Sequence, residues 1–144
     1  MTGRSRDSNL PAQGRAYLGI KYYPDMHNRA LIETLSQIIE QTGWQITITV
    51  RDLELWGKKA LSPQQLMQLS FDSIQRSNVL FLEVSEKGVG LGIEAGYAYA
   101  LHIPIILLAR IGTEISTTLS GIASQILFYE QFEDLLPQLI ALKI

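Results

Sequence analysis

The sequence has no cysteine and only two histidines, His27 and His102. That excludes a disulfide framework and a thiol nucleophile, and it leaves no zinc site of the His/Cys kind. A surplus of one charge is also missing: 12 Lys and Arg stand against 14 Asp and Glu, for a formal charge of -2, and the basic residues are scattered. Neither nucleic acid nor an acidic membrane surface would find its electrostatic complement here. The apolar runs are too short to cross a bilayer. No metal and no cofactor is expected from this composition. Residues 1–14 are polar and basic, with Gly3, Pro11 and Gly14, and lack the apolar segment of a signal peptide. They read as a disordered leader, leaving 15–144 as one domain of a protein suited to a reducing, cytoplasmic compartment. What is present is a core: 47% of the 144 residues are hydrophobic and 18% charged, enough for a single self-sufficient domain.

The chain is organised around residues 79–110. Val79-Leu80-Phe81-Leu82-Glu83-Val84 and Pro104-Ile105-Ile106-Leu107-Leu108-Ala109-Arg110 have the length and branching of buried parallel strands. Between them Ser85 to Leu101 is helical in composition and opens with glycines at 88, 90 and 92, where backbone with positive φ would let a ligand approach closely. Glu94 then falls in the first turn of the helix, where the positive end of the dipole favours an ionised carboxylate. An acid behind a glycine loop at the carboxyl end of a central strand lies where open α/β sheets bind ligands.

In chain order, Ala16-Tyr17-Leu18-Gly19-Ile20 reads as a first strand that ends before Pro24. A helix from Asn28 places Leu31, Leu35, Ile38 and Ile39 on one face and stops at Gly43. Trp44 to Val50 alternates as a second strand, followed by a mixed polar and aromatic loop, Arg51 to Gly57, of the kind that covers sites. Ser62-Pro63-Gln64-Gln65 is a capping box with proline at the first helical position. The helix it starts carries Met67, Phe71 and Ile74 as a stripe with Ser70 inside it, while Asp72 should face solvent. Past the central unit come a Ser/Thr/Gly-rich stretch, Gly112 to Ser124, a fifth strand at Ile126–Tyr129 and a closing helix over Phe132–Leu142.

Alternating strands and helices imply a doubly wound, Rossmann-like sheet of five parallel strands with right-handed crossovers. Its carboxyl edge would collect Lys21 and Tyr22, Arg51 and Asp52, the Ser85 to Glu94 segment, and Arg110. Three cations and a glycine-rich helix start suit an anionic ligand, a phosphate above all. Two plainer readings stand beside this one: the glycines can be an ordinary tight strand-to-helix connection, and Glu94 a carboxylate that merely complements the dipole. A dinucleotide fingerprint fits less well, because it belongs after the first strand.

The run Gly90-Leu91-Gly92-Ile93-Glu94-Ala95-Gly96-Tyr97-Ala98, followed by Ile103-Pro104-Ile105, resembles the signature of the nucleoside 2-deoxyribosyltransferase superfamily. Its branch of 2'-deoxynucleoside 5'-monophosphate N-glycosidases is the most similar. The resemblance covers about residues 16–140 in element order and is specific over 78–110. It implies a flavodoxin-like fold, a small-molecule nucleotide or nucleoside as ligand, and a homodimer whose sites share residues. It further implies that Glu94 is the nucleophile at the sugar's anomeric carbon, and that the loop around Gly88 to Gly90 and Ser116 hold a 5'-phosphate, with Gly92 counted beside them as substrate-binding from the glycine pattern. One position departs from the family: Ser70 stands where the resemblance implies an assisting aspartate, and a serine is no general acid at neutral pH. Either a loop carboxylate, Asp52 or Glu54, serves instead, or the activity is weakened. The alternative to an N-glycosidic-bond enzyme is therefore a nucleotide- or nucleotide-sugar-binding domain without turnover. Gly88, where transferases carry an acid, turns the expectation towards nucleotides.

Overall fold

The computed structural model describes residues 12–144. In order the elements are β1 (Gly14–Ile20), α1 (Arg29–Glu40), β2 (Trp44–Thr47), α2 (Pro63–Gln75), β3 (Val79–Glu83), α3 (Val89–Ala100), β4 (Ile105–Arg110), α4 (Thr117–Ile122), β5 (Gln125–Tyr129) and α5 (Leu135–Ile140). A π-helical turn, Thr49–Leu53, follows β2, and a 3-10 turn, Phe132–Asp134, takes up the start of the expected closing helix. Of the expected leader, residues 1–11 lie outside the described residues. The Gln13 N–H already donates to the Gly43 carbonyl at 2.8 Å, and β1 opens at Gly14, inside that leader.

All strand pairs are parallel, in the order β2-β1-β3-β4-β5. The chain leaves β1 towards β2 on one side and returns to β3 on the other, so the switch in winding falls between β1 and β3. Their carboxyl ends, paired at Ile20 and Glu83, frame the crevice where such sheets take ligands. Strand periodicity sorts the core into two layers. Leu18, Phe81, Ile106 and Leu108 pack with Ile32, Leu35 and Ile39 of α1, while Tyr17, Leu80, Leu82 and Leu107 pack with Ile74 of α2 and Leu91, Ala95 and Ala98 of α3. Each fully buried Leu or Ile contributes about 1.5–3 kcal/mol, so β3 and β4, buried from end to end apart from Arg110, hold the centre rigid.

The second strand is shorter than the alternation predicts. It stops at Thr47, because the Asp52 carboxylate accepts the Ile48 N–H at 2.8 Å and the chain winds into the wide turn, closed by Glu54 N–H to the Thr49 carbonyl at 3.0 Å. Ile48 and Val50 stay buried, so the turn satisfies the same apolar pattern as a strand. Beyond it Leu55 and Trp56 take positive φ of 51° and 56°, uncommon for such side chains. Trp56 is thereby laid against Tyr22, with ring centroids 5.7 Å apart, and under the Arg29 guanidinium at 4.4 Å. The capping box at Ser62 forms as expected, Ser62 Oγ accepting from Gln65 N–H and Gln65 Oε1 accepting from Ser62 N–H.

Candidate active site

At the switch point Glu94 leans from α3 towards β1. The Tyr17 hydroxyl donates to Glu94 Oε2 at 2.5 Å; it also meets Thr49 Oγ1 at 2.5 Å, and Thr49 Oγ1 meets Ser70 Oγ at 3.2 Å. Four elements thus meet in one line of polar atoms: β1, the π turn, α2 and α3. Glu94 Oε1 has no hydrogen-bond partner among the described residues and lies towards Gly19. A Cβ at Gly19 would stand 2.6 Å from Oε1 and 2.6 Å from Leu82 Cδ2. Only a glycine leaves room for both.

Glu94 does not have the charge state expected of it. Helix α3 begins at Val89 with Gly88 as its N-cap, so Glu94 is the sixth helical residue, past the turn in which the dipole acts strongly. Burial governs instead, raising its pKa to about 7, against which the Tyr17 hydrogen bond works only partly. The carboxyl is poised between its two forms near neutrality. Tyr17, pushed well above the ordinary phenol range by burial and then by the charge of Glu94, stays protonated and remains a donor.

The glycines act differently from the expectation too. None of Gly88, Gly90 and Gly92 has positive φ: Gly88 is extended at φ -159°, and the other two lie inside α3. Their use is the absence of a side chain, since a Cβ at Gly90 or Gly92 would meet nothing within 4 Å. The first-turn N–H groups of α3, with no side chain capping them, are left open to a ligand. The approach to this turn is fixed from behind. Buried Glu83 accepts from Ser85 N–H at 2.8 Å, from Ser85 Oγ at 2.7 Å and from the Tyr129 hydroxyl, and Ser85 Oγ accepts from Arg110 N–H at 2.9 Å.

Two cavities meet at this point. One, of about 240 Å³, is lined by Tyr17, Gly19, Lys21, Tyr22, Thr49, Glu54, Met67, Ser70, Gly88, Gly90, Leu91 and Glu94 among others. The second, of about 560 Å³, is lined by Lys21, Glu86, Lys87, Gly88, Leu91, Gly92, Glu114, Ser116, Thr118 and their apolar neighbours. Lys21, Gly88 and Leu91 belong to both, so a ligand with two ends can lie across them. Ser116 caps α4, accepting from Leu119 N–H at 3.4 Å and sharing a hydrogen bond with Thr118 Oγ1 at 2.8 Å.

Of the residues singled out in the sequence, Glu94, Ser70, Lys21, Tyr22, Gly88 and Gly90 are brought to the first cavity, and Gly92 and Ser116 to the second. Arg51 and Asp52 reach neither. Arg51 is clasped on the far side, donating to the Ile46 carbonyl at 3.0 Å, to Ser36 Oγ at 3.3 Å and to Asp52 at 2.9 Å, with Glu40 at 3.7 Å. Asp52 is occupied with Arg51 and the Ile48 N–H. Because the strand gives way to a turn, the loop carboxyl that does line the cavity is Glu54, which burial holds above the ordinary carboxylate range. Asp72 is half-buried rather than solvent-facing. Arg110 is exposed and lies beside Ser85 and Glu83, off both cavities. Tyr17, Gly19 and Thr49 escaped the sequence reading. The signal for the first two was a phenol and a glycine two residues apart, hence on one face of an otherwise aliphatic strand; for Thr49 it was the threonine side of the alternation after Trp44.

Among the described residues no cluster of His, Asp and Glu is placed to hold a metal ion, and no helix is long and apolar enough to cross a membrane. No family model matches the chain. A relative from Thermofilum pendens, provisionally assigned as a 2'-deoxynucleoside 5'-phosphate N-hydrolase, is 28% identical over 96 residues, which are 66% of this chain and 67% of the relative. The solved CMP N-glycosidase BcmB of Clostridium botulinum matches with a TM-score of 0.64 and 22% identity over 87% of this chain and 96% of its own. A 2-deoxyribosyltransferase of Bacillus psychrosaccharolyticus matches with a TM-score of 0.68 and 16% identity over 85% and 90%. The solved structures bear out the flavodoxin-like α/β fold, and the sequence relative bears out the resemblance to the N-glycosidase branch.

Proposed function

We propose that this chain, a relative of the nucleoside 2-deoxyribosyltransferase superfamily and of its N-glycosidase branch, is an enzyme of the N-glycosidic bond. Its substrate is a nucleoside or, by preference, a (deoxy)nucleoside 5'-monophosphate, handled as a soluble small molecule in the cytoplasm. One observation carries the reading: Glu94 is a carboxyl with one oxygen held by Tyr17 and the other unbonded, directed to a cavity wall that Gly19 keeps open.

The chemistry follows from those two oxygens. Oε1 attacks the anomeric carbon as the bond to the base breaks, through a transition state of oxocarbenium character, and a glycosyl ester forms. Tyr17 keeps Oε2 fixed, so the carboxylate meets the sugar in one orientation. Water, or a second base, then resolves the ester with overall retention of configuration. The sugar and base occupy the smaller cavity beside Tyr17, Ser70 and Glu54. The 5'-phosphate lies across the shared wall against the α3 amides, with Lys21 and Ser116 within the second cavity. Around the second cavity Glu86 and Glu114 offset Lys21 and Lys87, a balance that suits one phosphate better than three.

A homodimer belongs to this reading. Val89, Ile93 and Tyr99 of α3 are 83%, 47% and 57% exposed, and Gly92 and Gly96 leave open space beside them, as a close-packed two-fold contact would need.

Ser70 favours a second reading, nucleotide binding without turnover, because a neutral hydroxyl stands in the place of an acid. Incubation with a panel of nucleosides and their monophosphates, followed by chromatography for free base, separates the two. Released base supports the enzyme; tight binding of several monophosphates with none cleaved supports the binding domain.

A further inference from the structure

Breaking an N-glycosidic bond requires a proton on the departing base, and of the two loop carboxyls expected to supply it, Asp52 is held by Arg51 and the Ile48 N–H away from the cavity and only Glu54 lines it. The polar line described above supplies another route. Each of its three hydroxyls carries a single hydrogen, so the direction of the whole line is set by its end. With Glu94 ionised, Tyr17 donates to Glu94, Thr49 must donate to Tyr17, and Ser70 must donate to Thr49. Ser70 then has no hydrogen left and can only accept. With Glu94 protonated on Oε2 the line runs backwards: Glu94 donates to Tyr17, Tyr17 to Thr49, Thr49 to Ser70, and Ser70 holds a free O–H. Both ends, Ser70 and Glu94, line the same cavity.

Resting on the glycosidase reading, we propose that Tyr17, Thr49 and Ser70 form a proton relay that carries the Glu94 proton to the leaving base, so that one carboxyl serves as acid at the far end of the relay and as nucleophile at its own. The step balances. The C–N bond breaks and its electron pair takes the proton that Ser70 hands over; Ser70 is refilled by Thr49, Thr49 by Tyr17 and Tyr17 by Glu94 Oε2. The carboxylate thus released forms the C–O bond through Oε1. When water cleaves the ester, one of its hydrogens stays on the sugar hydroxyl and the other restores the acid form of Glu94. The net change is base–sugar plus water giving free base and free sugar.

Two features favour the relay over Glu54. The relay is contiguous, with every contact at 3.2 Å or less, and Ser70 at its end is 2% exposed, away from competing water. Among the described residues Glu54 makes no side-chain hydrogen bond to any member of it. The titratable groups that share this cavity are Tyr17, Lys21, Tyr22, Glu54 and Glu94, and of these only Glu94 and Tyr17 belong to the relay.

The test compares two substrates that share a sugar phosphate and differ in leaving group: a natural 2'-deoxynucleoside 5'-monophosphate, whose base needs a proton, and 4-nitrophenyl 2-deoxyribofuranoside 5-phosphate, whose phenolate does not. Thr49→Val interrupts the relay without changing the side chain's shape. It is expected to lower kcat on the nucleotide at least about 100-fold more than kcat on the nitrophenyl substrate, the usual worth of general acid catalysis, whatever common loss the altered cavity wall imposes on both. Thr49→Ser restores the hydroxyl and should bring most of the nucleotide activity back. The wild-type pH profiles should also part: turnover of the nucleotide falls as pH rises through about 7, where Glu94 loses its proton, and turnover of the nitrophenyl substrate rises there. Equal losses on both substrates in Thr49→Val, or a selective loss in Glu54→Gln instead, overturn the relay and leave the enzyme reading standing. Wild-type protein that cleaves neither substrate overturns both.

Discussion

The hydroxyl of Tyr17 and the carboxyl of Glu94, 77 residues apart in sequence, share a hydrogen bond of 2.5 Å across the β1–α3 seam. It lowers the carboxyl's pKa against a larger upward push from burial. Tyr17→Phe keeps the packing and removes the donor. The carboxyl should then titrate higher still, and the pH dependence of cleavage should move upward with it. On the nitrophenyl substrate, which needs no relay, a fall in kcat of about 10- to 100-fold is expected, by comparison with losing a charge-assisted hydrogen bond of roughly 1.5–3 kcal/mol; on the nucleotide the break in the relay adds to it. An unchanged pH profile would mean that the bond has no hold on Glu94.

The same carboxyl makes stability depend on pH. In the folded chain it keeps its proton up to about 7, whereas the unfolded chain releases it near the ordinary value of 4.5. Between those values the folded state binds more protons, so stability from this group is full below the window and is lost as pH rises through about 7. The difference is about 3 kcal/mol. Glu94→Gln has no such titration. Its stability relative to wild type, measured by urea unfolding, should improve by roughly 2 to 3 kcal/mol between pH 5 and pH 8; a constant difference would place the carboxyl in water.

Much of this arrangement was legible in the sequence, for physical reasons that also mark where it was not. Buried parallel strands read as unbroken apolar runs, so β3 and β4 stood out, and Glu94 stood out as the acid behind the glycines between them. Ser62-Pro63 announced α2 and with it the position of Ser70. The end of β2 was hidden because Ile48 and Val50 are buried in a π turn just as they would be in a strand. That single ambiguity sent Arg51 and Asp52 to the wrong side and put Glu54 in their place. The charge state of Glu94 was misjudged because glycines 90 and 92 look like loop, when in fact they are helical and carry Glu94 beyond the first turn into a buried wall. Tyr17 and Thr49 were invisible as partners, since their contact is made only by the crossing of β1 with the turn.

If the exposed apolar side of α3 is a two-fold contact, Val89→Lys should yield monomers at micromolar concentration where the wild type sediments at twice the chain mass. Wild-type protein that sediments as a monomer would remove the shared-site feature of the proposed function.

Phosphate recognition should favour a monophosphate over its bare nucleoside by at least about tenfold in affinity, given charge-assisted hydrogen bonds of roughly 1.5–3 kcal/mol each from the α3 amides and Ser116. Ser116→Ala should narrow the preference, read by calorimetry with both ligands. Equal affinities in the wild type would dismiss the anion subsite.

Cleavage by Glu94→Gln and Glu94→Ala is the most direct measurement of all. The glutamine keeps the shape and one acceptor but neither attacks nor supplies a proton, so monophosphate binding should persist while turnover falls at least about a thousandfold, roughly 4 kcal/mol of barrier. On the nitrophenyl substrate, whose leaving group needs no proton, added azide or formate should restore part of the activity of Glu94→Ala, with the azide appearing as a glycosyl azide of inverted configuration. Wild-type release of base by the glutamine variant would contradict the account at its centre, leaving Glu94 a buried carboxyl and the nucleophile elsewhere.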